Sequence, residues 1–344
     1  MQKLLPLLLI FIYFYMDADS GFCGESEGKA AIISVERIWD RAGHNAFTDL
    51  IRFNGKLFCT FREGSGHIPG LDGTIRVICT EDGQNWRSVT LISEKDVDLR
   101  DPKLSVTPDG RLMVLMGGSF YRDGERLKTE TRVSFSDVNG SEFSLPIPVR
   151  IDPTIKSNFD WLWRVTWRDR IGYGVVYQAL SSEIALRLVS TTDGIHFTYI
   201  SDLEVSGRAN ETTLRFLADG RMVALIRRDG EPKEGLVGTS EYPYKTWTIN
   251  QLNIRVGGPN FMPTPDGKLL AVAREYFPDQ RKTSLFYFDL DGNVTRLFSL
   301  PSAGDNSYAG MVFDGERLYV SYYSTHEEKT AIYLATIRGE VYEK

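Results

Sequence analysis

The segment Asp109-Gly110-Arg111-Leu112 indicates the fold, because closely similar segments recur at nearly regular intervals along the chain. An Asp-Gly or Asn-Gly pair between two apolar runs predicts a tight β-hairpin, since both turn residues adopt positive φ readily. The close copies of the segment begin at Asn54, Asp219 and Asp266, and two looser copies begin at Asp169 and Asp314.

The repeat has a period of about 50 residues, which is the size of one blade of a β-propeller. The second turn residues of the six copies lie at positions 55, 110, 170, 220, 267 and 315. Strand-like runs flank each turn, so the sequence predicts an all-β, six-bladed propeller with four-stranded antiparallel blades. The sixth unit lacks a fourth strand, and the run 31–35 is expected to complete it and close the ring. A β-sandwich or a solenoid is the competing architecture, but equal four-strand units favour radial closure.

The composition supports one folded domain after an N-terminal targeting segment. The 344 residues include 6 Trp, 16 Tyr and 19 Phe, enough to bury a large core. Lys3 precedes the apolar run 4–16, which is too short to span a membrane, and small residues follow it. We therefore predict a signal peptide over 1–20, a short linker over 21–30 and a single propeller over 31–344. The protein is expected to be exported and monomeric, with Cys23 as a candidate for lipid attachment.

Several classes of partner and cofactor are not expected. The net charge is −6 and the chain has no basic block, which argues against a nucleic-acid surface. The four His are far apart in sequence, so the spacing predicts no metal site, and no motif predicts a cofactor. Cys59 and Cys79 fall on successive predicted strands, where a disulfide is conceivable in an exported protein but two buried thiols are the simpler reading.

Propeller geometry brings polar residues together at one end of the central channel, which we call the mouth. The position seven residues after each turn places Arg62, Arg227 and Arg274 at the same level, with Tyr322 or Tyr323 in the sixth blade. Residues that open the innermost strands should face the same mouth; they include Asn45, Arg100, Asp101, Trp163, Asn210, Glu211, Asn260 and Tyr308. Arginines bind carboxylates bidentately and aromatic faces pack on sugar rings, so the mouth suits a polar, sugar-like ligand, and a glycan is the expected partner.

Two turns carry a further pattern, in which an acidic residue is followed by Gly and then an aromatic residue. The segments are Thr80-Glu81-Asp82-Gly83-Gln84-Asn85-Trp86 and Thr191-Thr192-Asp193-Gly194-Ile195-His196-Phe197. They are similar to the Asp-box, a structural turn between the third and fourth strands of a blade. With the repeat and the arginines, they make nearly the whole chain after the targeting segment resemble the sialidase (neuraminidase) superfamily.

The resemblance implies a retaining exo-glycosidase and assigns roles to individual residues. Tyr308 corresponds to the nucleophile and Glu211 to its general base, while Asp72 corresponds to the acid that protonates the leaving oxygen. Arg227 (with Arg228 as a rival) and Arg274 correspond to the arginines that hold a substrate carboxylate. Asp101 is a second candidate acid.

The sequence departs from the family at one position. The family has an arginine where the first blade begins, which completes the set that holds the substrate carboxylate, and this chain has Asn45 there. Arg62 is the nearest arginine that could replace it. The departure bears on sialic acid recognition more than on glycan chemistry. A glycosidase for another sugar, neutral or uronic, and a non-catalytic glycan-binding propeller are the alternatives.

Overall fold

A computed structural model describes residues 31–67, 73–180 and 183–343. The predicted signal peptide, the linker with Cys23, and Asp72 lie outside the described residues. A short helix α1 (Glu340–Glu343) follows the last strand. No helix in the described ranges is long and apolar enough to cross a lipid bilayer.

The described chain forms antiparallel strands joined mostly by short turns. In chain order they are β1 Ile32–Trp39, β2 His44–Phe53, β3 Lys56–Gly64, β4 Thr74–Thr80, β5 Arg87–Ile92, β6 Asp98–Val106, β7 Leu112–Arg122, β8 Glu125–Phe135, β9 Ile147–Pro148, β10 Arg150–Ile151, β11 Asp160–Arg168, β12 Ile171–Leu180, β13 Glu183–Thr191, β14 His196–Leu203, β15 Ala209–Phe216, β16 Met222–Arg228, β17 Leu236–Ser240, β18 Thr248–Gln251, β19 Val256–Pro263, β20 Leu269–Tyr276, β21 Arg281–Phe288, β22 Val294–Ser299, β23 Asn306–Phe313, β24 Arg317–Ser324 and β25 Ala331–Arg338.

The strands form six sheets, which confirms the predicted six-bladed propeller. Blades 1 and 2 are β2-β3-β4-β5 and β6-β7-β8-β9; blade 3 is β11-β12-β13-β14, with β10 added in parallel to β14. Blades 4 and 5 are β15-β16-β17-β18 and β19-β20-β21-β22. Blade 6 is β23-β24-β25, completed by β1, which pairs antiparallel with β25. The ring is therefore closed by the N-terminal strand, as the unpaired run 31–35 predicts.

The hydrophobic core lies between neighbouring blades. One cluster joins Leu270 and Val272 of blade 5 to Leu318 and Val320 of blade 6, all fully buried. Alternating apolar residues on both faces of the inner strands make such contacts possible, because successive side chains of a strand point to opposite faces. Cys59 and Cys79 are buried free thiols.

Every innermost strand carries a β-bulge close to its start. In each one, two residues of the inner strand oppose a single residue of its partner, for example Phe47 and Thr48 opposite Phe61. The same irregularity recurs in the other five blades, at 101–102, 163–164, 210–211, 258–259 and 308–309. Bulges re-aim side chains at sheet ends. This ring of bulges therefore decides which residues reach the mouth.

Two of the outer turns share one hydrogen-bond pattern. Asp82 Oδ1, between β4 and β5, accepts the backbone N–H groups of Gln84 (2.9 Å) and Asn85 (2.8 Å). Asp193 Oδ1, between β13 and β14, accepts those of Ile195 and His196, both at 2.8 Å. These carboxylates satisfy turn donors that would otherwise depend on water.

Candidate active site at the mouth

Three side chains from two blades meet at the centre of the mouth: Glu211 and Arg227 of blade 4, and Tyr308 of blade 6. The Tyr308 hydroxyl donates to Glu211 Oε1 at 2.6 Å. Arg227 Nη1 donates to the same carboxylate oxygen at 2.5 Å and to the Tyr308 oxygen at 3.1 Å. A hydroxyl bound to a carboxylate, with a cation on the same oxygen, is the arrangement of an activated nucleophile.

Gly258 makes this contact possible. Its backbone N–H donates to Glu211 Oε2 at 2.8 Å, which fixes the second carboxylate oxygen. Gly258 has a φ of +55°, and a Cβ there would lie 2.7 Å from the ring of Tyr308. Any other residue would therefore be strained and would displace the phenol.

The environment keeps the Tyr308 phenol protonated until a base removes the proton. Burial, followed by the negative charge of Glu211, raises the pKa of Tyr308 well above its ordinary value, against the opposing effect of Arg227 and Arg274. Tyr308 is only 7% exposed, and Trp163 packs edge-on against it with ring centroids 5.7 Å apart. A phenol of this kind needs Glu211 as an immediate proton acceptor.

Arg274 of blade 5 lies beside Tyr308 of blade 6, with its guanidinium carbon 5.3 Å from the ring centroid. Its Nη2 donates to Asp305 Oδ1 at 2.9 Å and to the Tyr323 hydroxyl at 2.8 Å. The other Asp305 oxygen contacts His67 Nδ1 at 2.6 Å and lies 3.4 Å from His44 Nε2. These groups hold the pKa of Asp305 far below its usual value in spite of its burial.

Arg62 and Arg100 share one carboxylate, that of Asp98. Arg62 is fully buried and donates Nε and Nη2 to Asp98 Oδ1 at 2.9 and 2.8 Å. Arg100 Nη1 lies 3.6 Å from the other Asp98 oxygen and donates to the carbonyl of His67. Each of the four arginines described at the mouth (Arg62, Arg100, Arg227 and Arg274) therefore has an acidic partner.

Asp101 lines a recess of about 220 Å³ beside the group formed by Tyr308, Glu211 and Arg227. Trp161 and Tyr177 form one wall of the recess, stacked with ring centroids 6.1 Å apart. Burial raises the pKa of Asp101, although Arg100 and Lys103 oppose the effect. A carboxyl that is more readily protonated beside an aromatic wall suits a proton donor next to a sugar ring.

A layer of buried charged residues lies below Tyr308, Glu211 and Arg227. Arg164 forms a bidentate ion pair with Asp49, with N–O distances of 2.8 and 3.1 Å. Lys103 Nζ lies 4.5 Å from the ring of Trp163 and 5.9 Å from that of Tyr308. Burial and the charge of Arg164 lower the pKa of Lys103 to about 8.

The remaining predicted site residues lie in several environments. Asn45 is fully buried and donates to the carbonyls of Ala42 and Thr330, and Asn260 donates to the carbonyl of Ala309. Arg228 contacts the carbonyl of Glu234 and the side chain of Gln251, and Tyr322 donates to the carbonyl of Pro301. The structure thus brings Tyr308, Glu211, Arg227, Arg274 and Trp163 together, and it does not bring Arg228 or Tyr322 to them.

Sequence reasoning missed Asp305, His67, Lys103 and the choice of Tyr323. The blade 6 turn is one residue longer than the close copies of the repeat, so Tyr323, and not Tyr322, pairs with the residue before the bulge and reaches Arg274. Asp305 directly precedes β23, so the rule that inner-strand openers face the mouth could have found it if extended by one residue. His67 lies in a loop after β3, where spacing gives no signal.

Comparisons with known proteins agree with the fold. No family model matches the chain, and no curated protein matches its sequence. A Dyadobacter fermentans protein of unknown function superposes with a TM-score of 0.75 at 16% identity, covering 89% of this chain and all of that one.

Two glycoside hydrolases are also similar in structure. Trypanosoma rangeli sialidase in complex with sialic acid gives a TM-score of 0.68 at 14% identity, covering 90% of this chain and 58% of that chain. A mutant α-L-arabinofuranosidase from Fusarium graminearum, in complex with an iminosugar inhibitor, gives a TM-score of 0.68 at 14% identity. The match covers 90% of this chain and 99% of that chain. The chain thus has the sialidase-like propeller fold, which glycoside hydrolases share.

Proposed function

We propose that the protein is a retaining glycoside hydrolase in which Tyr308 is the nucleophile and Glu211 its general base. The 2.6 Å hydrogen bond from the Tyr308 hydroxyl to Glu211 carries the proposal. Tyrosine nucleophiles are a known exception to the paired-carboxylate mechanism of glycosidases. The structural likeness to two glycoside hydrolases supports the reaction class.

The reaction proceeds in two displacements. Tyr308 Oη attacks the anomeric carbon while Glu211 takes the phenolic proton, and the bond to the leaving oxygen breaks as an acid protonates that oxygen. Water then attacks the same carbon and gives a proton to the carboxylate of the acid, while the bond to Tyr308 breaks and Glu211 returns the proton to the phenolate oxygen. Arg227, 3.1 Å from that oxygen, stabilises negative charge on it. Two inversions retain the anomeric configuration.

Asp101 is our choice for the acid, with Asp72 as the alternative that the resemblance gives. The raised pKa of Asp101 keeps more of the carboxyl protonated than in water, as the role requires. The adjoining recess with Trp161 and Tyr177 would hold a sugar ring next to it.

The charges at the mouth favour a neutral terminal sugar. The four arginines described at the mouth are each bonded or close to a carboxylate, which already offsets the positive charge that would attract an acidic substrate. Likeness to a sialidase that binds sialic acid, together with Arg227 and Arg274 beside Tyr308, supports an acidic sugar as the second candidate.

The test is hydrolysis of a panel of neutral and acidic aryl glycosides by the purified protein. We expect release from at least one neutral glycoside, and a loss of at least about a thousand-fold in kcat/KM for Tyr308→Phe, equivalent to about 4 kcal/mol. Tyr333→Phe is the matched control, because Tyr333 is a buried blade 6 tyrosine that stacks on Tyr322, away from Glu211 and Arg227. Wild-type inactivity on the whole panel, or an active Tyr308→Phe, would refute the proposal.

The two acids are separated by leaving-group dependence. Removal of the true acid should slow hydrolysis of glycosides with poor leaving groups by about a hundred-fold or more, and spare those with acidic phenols. We expect this pattern for Asp101→Asn and not for Asp72→Asn. The reverse pattern would assign the acid to Asp72.

We infer further that the protein acts after export. The apolar run 4–16 and the small residues that follow it support a cleaved signal peptide. Mass spectrometry of the mature N-terminus would test the inference; a chain that retains residues 1–20 would contradict it.

A further inference from the structure

We propose that His44, His67 and Asp305 form a binding site for a divalent transition-metal ion, with Zn²⁺ as the best match. The three residues each offer one ligand atom, and these atoms lie within 4.8 Å of one another. Two imidazoles and one carboxylate are a ligand set that zinc takes in sites that keep an open position. The inference does not depend on the proposed hydrolase activity.

The distances suit a tetrahedral ion with little rearrangement. Metal–ligand bonds of about 2.0–2.2 Å place neighbouring ligand atoms about 3.3 Å apart. His44 Nε2 already lies 3.4 Å from Asp305 Oδ2, and His67 Nδ1 lies 2.6 Å from the same oxygen. The ion would replace the proton in the His67–Asp305 contact and move those two atoms apart by less than about 1 Å.

His44 supplies an independent observation. Its side chain is nine-tenths buried, and its Nε2 faces Asp305 Oδ2 at 3.4 Å, which is long for a hydrogen bond. A buried polar group gains from a closer partner than this. A metal ion between Nε2 and Oδ2 would supply that partner.

Asp305 is already held in the orientation that a ligand needs. Its Oδ1 accepts hydrogen bonds from Arg274 and Tyr323, both at 2.9 Å, so Oδ2 alone faces the two histidines. Metal-bound carboxylates in proteins are fixed by such outer hydrogen bonds. The positive charge of Arg274 opposes a cation, and the carboxylate between them offsets that repulsion.

The open side of the cluster faces the mouth. His67 and Asp305 are 44% and 26% exposed, whereas His44 is 9% exposed. The ring of Phe47 packs against the rings of both His67 and Tyr308, with centroids 5.2 and 5.3 Å apart. Phe47 would therefore separate a bound ion from the proposed nucleophile. Open coordination positions there would accept a sugar hydroxyl or carboxylate.

Isothermal titration of Zn²⁺ into the metal-stripped full-length protein tests the site. We expect one saturable site per chain, with affinity lowered at least about a hundred-fold in His67→Ala. Co²⁺ should give visible absorption bands typical of tetrahedral coordination, and His67→Ala should abolish them. Because His67 is exposed, this variant should fold, which circular dichroism would confirm.

His326→Ala is the matched control, because His326 contacts Ser324 and lies outside the cluster. It should bind Zn²⁺ as the wild type does. Absence of saturable binding in the wild type, or equal affinity in His67→Ala, would overturn the proposal. A hydrolase that is active after complete metal removal would leave the binding result intact, so the two proposals fail separately.

Discussion

The outer turns and the mouth use carboxylates in opposite ways. At the turns, Asp82 and Asp193 bind backbone N–H groups two and three residues further along the chain. At the mouth, Glu211 binds Tyr308 and Gly258, which come from other blades. Local pairs are visible in a sequence, whereas pairs between blades exist only once the ring has closed.

The two regions also differ in how they treat the carboxyl proton. Hydrogen bonds from His196 and Ile195 outweigh desolvation and hold the pKa of Asp193 at about 2, so this group stays ionised and structural. Burial raises the pKa of Asp101, so that carboxyl remains available for proton transfer. The carboxylates of the turns are therefore held ionised, whereas the carboxyl at the mouth is more readily protonated.

The largest effect should come from breaking the buried ion pair of the mouth. Asp49→Ala leaves Arg164 charged and buried and removes the acceptor for the Leu104 N–H, so the free energy of unfolding should fall by about 3–5 kcal/mol. Denaturant titration measures the change. Asp40→Ala, which breaks the exposed contact with Arg37, should change it by less than about 1 kcal/mol. Similar small losses in both variants would remove the contrast between buried and surface carboxylates.

Lys103 gives the mouth a pH dependence in the alkaline range, where the carboxylates of the turns do not titrate. Its pKa is lowered from 10.5 to about 8 on folding, so the folded state loses the proton first and stability rises with pH between about 8 and about 10.5. Lys103→Met should lack this rise. From pH 7 to pH 11, the free energy of unfolding of the wild type should therefore increase by about 3 kcal/mol relative to that of the variant. Denaturant titration of both proteins across this range measures it. A difference that stays constant with pH would contradict the buried, charged lysine.

The smallest effect should come from the outer turn. Asp193→Ala removes two backbone acceptor contacts at a half-exposed site, so we expect a loss of about 1 kcal/mol in the free energy of unfolding after screening by solvent. Asp193→Asn keeps one acceptor oxygen and should lose about half as much. Activity on the best substrate should not change in either variant; a large activity loss would show that the turn acts on the mouth.

The sequence predicts the framework well because the framework is local. The Asp-Gly turns at Asp109 and Asp219 predict hairpins, and the unpaired run 31–35 predicts the strand that closes the ring. Glu211 and Tyr308 follow from strand order and family resemblance, and the structure places them in contact. Asp72 and the signal peptide remain predictions, because they lie outside the described residues.

The remaining contacts depend on geometry that periodicity does not carry. The extra residue in the blade 6 turn shifts the count by one and brings Tyr323 to Arg274 in place of Tyr322. Arg62 looks like a ligand-binding residue in the sequence, yet Asp98 of the next blade takes its guanidinium. Contacts between blades are invisible to any rule that considers one strand at a time.

The pairing of β1 with β25 has a consequence for synthesis on the ribosome. Blades 1 to 5 are each built from strands that follow one another in the chain, so each is able to assemble soon after it is translated. Blade 6 joins the first strand described to the last, so β1 has no sheet partner until β25 has also emerged. Until then its backbone N–H and C=O groups are open to pairing with another chain, which makes this stage of synthesis the one most prone to aggregation.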